Sequence, residues 1–292
     1  MQGIIIINKP QGFTSQDVVS KVKKILNVKK AGHTGTLDPM ATGVLPVLIG
    51  NYTKLSKYLI EHDKTYIAKI KLGEKRSTGD QEGEIIQKKE VKEEIFVEDY
   101  ISNIVKSFLG KQKQIPPMYS AIKIDGKKLY EYARNGIKVD VPPRDIEIYD
   151  ISLLNFNKEL LEIEISVSCS KGTYIRALCE DIAKKMGTVG YMSSLNRILV
   201  DKFSIKNAID FETLEYNKNN EEYLKANIFT MEEVFDNFPK LKLNSNKLKL
   251  FLNGVMLTIK KKDGIYNIYD ENDSYIGTGT IKAELLKRDI II

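Results

Sequence analysis

Apolar and polar positions switch between two rhythms along this chain. Ile4 to Ile7 is a continuous apolar run that predicts a short buried strand, ended by Lys9-Pro10. Thr14 with Asp17 three residues later forms a capping-box pattern, and Val18, Val19, Val22, Ile25 and Leu26 follow at helical spacing. Residues 44–49 are apolar but broken by Pro46, which fits an edge strand or a loop. Leu55, Tyr58 and Leu59 predict a helix. Tyr66, Ala68, Ile70 and Leu72 alternate with polar neighbours as a strand does, and Ile101, Ile104, Val105 and Phe108 mark a helix stopped by Gly110. Leu161, Ile163, Ile165, Val167 and Cys169 alternate with Glu162, Glu164, Ser166 and Ser168, the clearest strand signal. Thr173 is placed to cap a helix carrying Ile175, Leu178, Ile182 and Met186, ended by Gly187.

Two stretches break these rhythms. Residues 111–144 carry Pro116-Pro117, Gly126, Gly136 and Pro142-Pro143 and read as a long excursion with a short helix near Leu129 to Arg134. From about Leu241, short runs are split by Asn253-Gly254, Asp263-Gly264, Gly277 and Gly279, which predicts a small β-rich C-terminal domain. A length of 292 residues agrees with two domains at roughly 150 residues each. The expected division is 1–238 and 239–292, with 111–144 as an insertion in the first.

Composition narrows the class. Hydrophobic residues at 42% and charged residues at 29% exclude disordered and fibrous chains. No apolar run approaches the ~20 residues of a membrane span, and no secretory pattern opens the chain. Neither membrane nor secretion is expected, and a cytoplasmic location is. The two cysteines, Cys169 and Cys179, and the two histidines, His33 and His62, are too few and too scattered for a disulfide scaffold or a zinc site. The net charge of +6 is unevenly spread: residues 1–60 carry +6, 111–144 carry +5 and 240–292 carry +4, with acidic stretches between. That suits either a polyanionic partner or a lysine-rich solvated surface.

The densest chemical signal is the loop Gly32-His33-Thr34-Gly35-Thr36-Leu37-Asp38-Pro39-Met40-Ala41-Thr42-Gly43. Its glycines and small polar residues cannot form a regular element, and they bring backbone amides and one carboxylate close to a ligand. It is no phosphate-binding P-loop, because no Gly-Lys-Ser/Thr follows.

This loop resembles the signature of the TruB family of pseudouridine synthases, and the resemblance extends through Asn8-Lys9-Pro10, Lys64-Thr65-Tyr66, Gln114 to Lys123 with Leu129-Tyr130-Glu131, Cys169 to Arg176, and Leu195 with Arg197, in family order. It implies an α+β fold, a mixed, largely antiparallel sheet flanked by helices, followed by a small PUA-like β-rich RNA-binding domain. It implies an enzyme that isomerises uridine 55 in the T loop of tRNA without cofactor or metal, replacing the N1–C1′ bond with C5–C1′. The family's catalytic Asp, Tyr and Arg fall on Asp38, Tyr66 and Arg176. His33 would fill the gap left by the flipped base. Ile175 and Leu195 would wall the uracil pocket, Lys9 and Pro10 would brace the loop, and Lys123 would lie near phosphates with Lys111, Lys113, Lys127 and Lys128. A monomer acting on the T-arm is expected. One departure stands out: Arg76 occupies a position where the family usually has Thr, although Thr78, Asp80 and Gly83 fit.

The residue types suit this chemistry on their own terms. Breaking a glycosidic bond builds positive charge at C1′, and an ionised carboxylate can stabilise that charge, attack C1′ or take the C2′ proton. A bidentate guanidinium would hold such a carboxylate ionised. Tyr66 offers a face for stacking and a hydroxyl. A guide-RNA-dependent relative, a tRNA-folding chaperone with catalysis secondary, and a nucleoside hydrolase are the competing readings. The basic surface disfavours a small substrate, and the chain's own excursion favours the stand-alone enzyme.

Overall fold

The computed structural model describes residues 1–59 and 62–292. One large mixed sheet dominates. Its strands run in the spatial order Ile228–Phe229, Gly3–Lys9, Thr42–Ile49, Gly190–Val200, Lys64–Leu72, Glu162–Cys169, Arg144–Asn157 and Gly110–Gln114, with Ala31–His33 and Phe203–Ser204 attached alongside. Every neighbouring pair is antiparallel except Gly190–Val200 on Thr42–Ile49, where Asn196 and Arg197 face Thr42 and Gly43. This is the α+β architecture expected from the sequence.

The run Ile4–Ile7 lacks alternation because the sheet is covered on both sides. Ile5 and Ile7 pack with helix Ser15–Ile25 through Val18, Val19 and Val22. Ile4 and Ile6 face the other way, against Leu55, Phe203 and Met231. The far half of the sheet is covered by helices Glu98–Lys106 and Ile175–Lys185, whose Ile101, Val105, Leu178 and Ile182 join Ile70, Ile163 and Val167 in a second core. Thr14 caps its helix as expected, accepting from Asp17 N while Asp17 reaches back.

Three expectations change. Residues 44–49 belong to an interior strand, with Pro46 opposite Ile6. The Pro46 carbonyl points to the opposite side and accepts from Thr34 N at 3.2 Å. A residue's N and C=O point the same way in a strand, so the missing N–H faces Thr34 at the end of the Ala31–His33 pairing, and the ladder to Gly3–Lys9 keeps its bonds. Thr173 does not cap the following helix; its hydroxyl donates to Ser170 O, and Tyr174 is the N-cap residue. Residues 110–114 form the outermost strand of the sheet, so the excursion leaves it only after Gln114. It contains the hairpin of Lys123–Ile124 with Lys127–Lys128 and the helix Leu129–Arg134, anchored by fully buried Leu129.

The C-terminal region is a separate five-stranded sheet in the order Lys240–Lys242, Gly264–Tyr269, Tyr275–Lys282, Leu285–Ile291, Leu257–Thr258, packed around Phe251 of helix Ser245–Leu252. It shares a core with the larger domain: Ile290 and Tyr275 pack with Tyr52, Val234 and Phe235. Tyr269 donates to Glu232, and Lys57 pairs with Asp289.

Candidate active site

The loop carrying Asp38 links Ala31–His33 to Thr42–Ile49, and several other elements hold it. Lys9, wholly buried at the end of the first strand, donates from Nζ to the carbonyls of Pro10 and Pro39, each at 3.1 Å. Ser15 Oγ accepts from Leu37 N at 2.9 Å, and Gly12 N donates to Pro39 O. Arg197, 1% exposed, donates from Nε to Val44 O and from Nη2 to Gly35 O. Gly43 permits this approach: with φ at 103°, any Cβ there would lie 2.3 Å from Arg197 O. Burial pushes the Lys9 ammonium down to about 8, against the opposing pull of Asp38.

Arg176 is the second residue of its helix. The residue before that helix is clamped by Gln114, whose side-chain amide donates to Tyr174 O at 3.0 Å and accepts from Tyr174 N at 2.8 Å. The edge strand therefore sets the position of Arg176. Its guanidinium meets Asp38 Oδ2 through Nε at 3.1 Å. The rest of the fork is engaged elsewhere: Nη1 reaches Asp80 Oδ2 at 3.5 Å and Thr78 O at 3.1 Å, and Nη2 donates to Tyr119 O at 2.8 Å. The bidentate pair expected with Asp38 is thus absent, because a second carboxylate and two carbonyls take the other nitrogens.

Asp38 lies at the floor of a cleft of about 550 Å³. Its side chain is 34% exposed, and that surface faces the cleft. Burial raises its pKa, Arg176 lowers it and Asp80 raises it again. Tyr66 forms one wall, nearly buried, with the Arg197 guanidinium near its phenol. Burial raises the pKa of that phenol and keeps it protonated. Ile175 and Leu195 line the same cleft, with Lys64, Tyr119 and Tyr130. Burial and the nearby Arg197 lower the pKa of Lys64.

The structure therefore brings Asp38, Tyr66, Arg176, Ile175 and Leu195 together around one cavity, with Lys9 and Pro10 beneath the loop. His33 and Lys123 lie outside the cavity lining. His33 is half-buried, its Nδ1 has no hydrogen-bond partner among the described residues, and burial lowers its pKa. Lys123 is exposed on the excursion hairpin. Sequence reasoning gave no role to Asp80, which is 2% exposed, or to Gln114. The Thr78-Gly79-Asp80 turn was the available signal for the first. For the second, the signal was its place at the head of the family block from Gln114 to Lys123. Among the described residues no group of three or more His, Cys, Asp or Glu could hold a metal ion.

The family model for the TruB family pseudouridylate synthase N-terminal domain matches residues 23–175, and that for the tRNA pseudouridylate synthase B C-terminal domain matches residues 176–236. The chain belongs to the TruB family. It is 45% identical over 272 residues to the tRNA pseudouridine synthase B of Francisella philomiragia, covering 93% of this chain and 88% of that protein. It is 42% identical to the tRNA pseudouridine synthase B of Clostridium tetani, over 98% of both chains. Among solved structures it is similar to that of a Cbf5-Nop10-Gar1 complex, with a TM-score of 0.73 and 26% identity over 99% of this chain and 84% of the other. It is also similar to an H/ACA RNP bound to a substrate RNA containing 2′-deoxyuridine, with a TM-score of 0.72 and 25% identity over the same shares. In the TruB frame, the cavity floored by Asp38 is the candidate active site.

Proposed function

We propose that this TruB family enzyme converts uridine 55 in the T loop of tRNA to pseudouridine, with Asp38 as the catalytic carboxylate. One observation carries the reading: a carboxylate held by a guanidinium at the floor of a cleft walled by Tyr66, Ile175 and Leu195. The target uridine flips into this cleft, at a cost of a few kcal/mol for unstacking. The ring of Tyr66 stacks on uracil. Ionised Asp38 attacks C1′ or removes the C2′ proton, and N1–C1′ breaks. The detached base turns, and C5 bonds to C1′ as the Asp38 carboxylate leaves C1′ or returns the proton to C2′; the C5 proton leaves and N1 takes up a proton, so the product is an isomer of the substrate.

The excursion and the C-terminal PUA-like domain supply cations for the phosphates of the T-arm. Lys123 serves the first. His33 occupies the gap left in the base stack. The protein acts as a cytoplasmic monomer. The test is incubation with unmodified tRNA transcript, followed by carbodiimide adduct mapping and primer extension. A single stop at position 55 supports the reading; no stop, or stops confined to other arms, contradicts it.

A further inference from the structure

We infer that Arg76 is a positioning residue: its guanidinium closes the 77–84 turn that presents Asp80 and the Thr78 carbonyl to Arg176. This rests on the catalytic reading of Asp38 and Arg176 and extends it to a side chain outside the cleft. Arg76 ends the strand Glu74–Arg76, at the position where the sequence departs from the family pattern. From Nη1 it donates to Gln81 O at 2.9 Å and to Gly83 O at 3.2 Å, so one nitrogen ties two carbonyls on the far side of the turn. From Nη2 it meets Glu74 Oε2 at 3.4 Å. Its plane lies over the ring of Tyr191, 4.5 Å from the centroid.

The turn that it closes is packed without slack. Thr78 Oγ1 donates to Asp80 Oδ1 at 2.6 Å, and Glu82 N donates to the same oxygen at 3.1 Å. A Cβ on Gly83 would lie 2.4 Å from Thr78 Oγ1. Met192 N, one residue beyond Tyr191, donates to Gly79 O at 3.0 Å. Arg76 thus grips the turn and the strand behind it together. On the other side of the turn, Arg176 takes Thr78 O and Asp80 Oδ2, and Lys75 pairs with Glu180, one helical turn beyond Arg176. The chain of contacts runs Arg76, turn, Asp80 and Thr78, Arg176, Asp38. Lysine cannot replace this arrangement, because a single ammonium lacks the planar fork and the stacking face.

Asp80 reinforces the upward pKa shift of Asp38. A loosened turn moves Asp80, which raises that pKa, and weakens the hold on Arg176, which with Lys9 lowers it, so the titration of Asp38 is displaced. The test compares Arg76→Ala and Arg76→Lys with the full-length parent in three readouts. At saturating tRNA the single-turnover rate is expected to fall about tenfold in Ala, with Lys nearer Ala than the parent, while Kd stays within about twofold. The acid limb of the pH–rate profile is expected to shift in both variants. In the free protein, amide exchange at Gly79, Glu82 and Gly83 is expected to rise at least about tenfold in Ala. Unchanged exchange overturns the inference whatever the activity. So does faster exchange with a parental rate and pH profile, or a slower rate that tracks weaker binding, which would make Arg76 an RNA contact. Failure of the parent to form pseudouridine would defeat the functional reading alone, and the exchange measurement would still decide the clip.

Discussion

The cleft floor and the 115–143 excursion both present cations, and they are built in opposite ways. At the floor, Arg176 is 8% exposed at its side chain, and its nitrogens contact two carboxylates and two carbonyls drawn from three segments. On the excursion, Lys123 and Lys127 are exposed on a hairpin of two-residue strands, and Leu129 is the fully buried anchor of the adjoining helix. A group that must meet one atom of a reacting sugar needs its geometry overdetermined. A group that neutralises phosphates needs only to be near, because that attraction is long-ranged and tolerant of position. The contrast separates a part of the molecule built for chemistry from a part built for grip, and substitutions at the two should fail differently.

The largest effect is expected at Asp38. Asp38→Asn keeps the size and removes the charge, and pseudouridine formation should fall by at least ~10⁴-fold, about 5 kcal/mol in barrier, measured by tritium release from 5-³H-uridine tRNA. Arg176→Lys comes next. It preserves charge but cannot span Asp38, Asp80 and the Thr78 and Tyr119 carbonyls, so turnover should fall on the order of 10²-fold with the melting transition intact. A lysine variant that matches the parent would show that the split fork has no part in catalysis.

Tyr66 sharpens the comparison within the floor. Its phenol lies near Arg197, which itself holds the Asp38 loop. Tyr66→Leu removes the stacking face, worth roughly 1–3 kcal/mol per base, whereas Tyr66→Phe removes only the hydroxyl. The Leu variant should be the slower of the two; equal rates would contradict stacking. At the excursion and the edge strand that leads into it, Lys111, Lys123 and Lys127 changed together to Gln should leave the saturated rate near parental. The same triple variant should weaken tRNA binding and flatten log Kd against log salt by up to ~0.9 for each phosphate no longer neutralised.

The smallest effect concerns pH. Burial raises the Asp38 pKa and Asp80 reinforces the rise, so the rate should climb with pH through a value above the ordinary carboxylate range. Asp80→Asn removes a like charge and should shift that limb to lower pH in a single-turnover profile. The sign reverses for folding. The native chain holds the Asp38 proton more tightly than the unfolded chain. The stability from that group is therefore present below the ordinary carboxylate pKa and lost as pH rises through the raised one.

What could be read from the sequence was what local pattern encodes. Alternation placed the strands over 64–72 and 162–169, and the Asp38 loop announced itself by composition. The family resemblance supplied Tyr66 and Arg176, which single-residue reasoning leaves as a core tyrosine and a surface ion pair. Long-range geometry was not legible. Pro46 looked like an edge marker because the side to which its nitrogen points depends on where Ala31–His33 pairs. Gln114 reads as one more polar residue in a lysine-rich stretch, and its clamp on Tyr174 exists only once strand and helix are brought together. The C-terminal turns were visible as glycine-containing pairs. The packing of Tyr275 and Ile290 with Tyr52 and Phe235 was not, and it means that removing this domain would open a core.

The most direct measurement carries Asp38→Asn and the triple Lys111, Lys123, Lys127→Gln variant through the same two readouts on one unmodified tRNA: Kd as a function of salt, and the single-turnover rate at saturating protein. The account expects a crossed result. Asp38→Asn should bind with parental affinity and salt slope while its rate falls by at least ~10⁴-fold, and the triple variant should bind more weakly with a flatter slope while its saturated rate stays within a few-fold of the parent. Parallel falls in rate and affinity in both variants, or an Asp38→Asn rate within tenfold of the parent, would contradict the division between floor and rim.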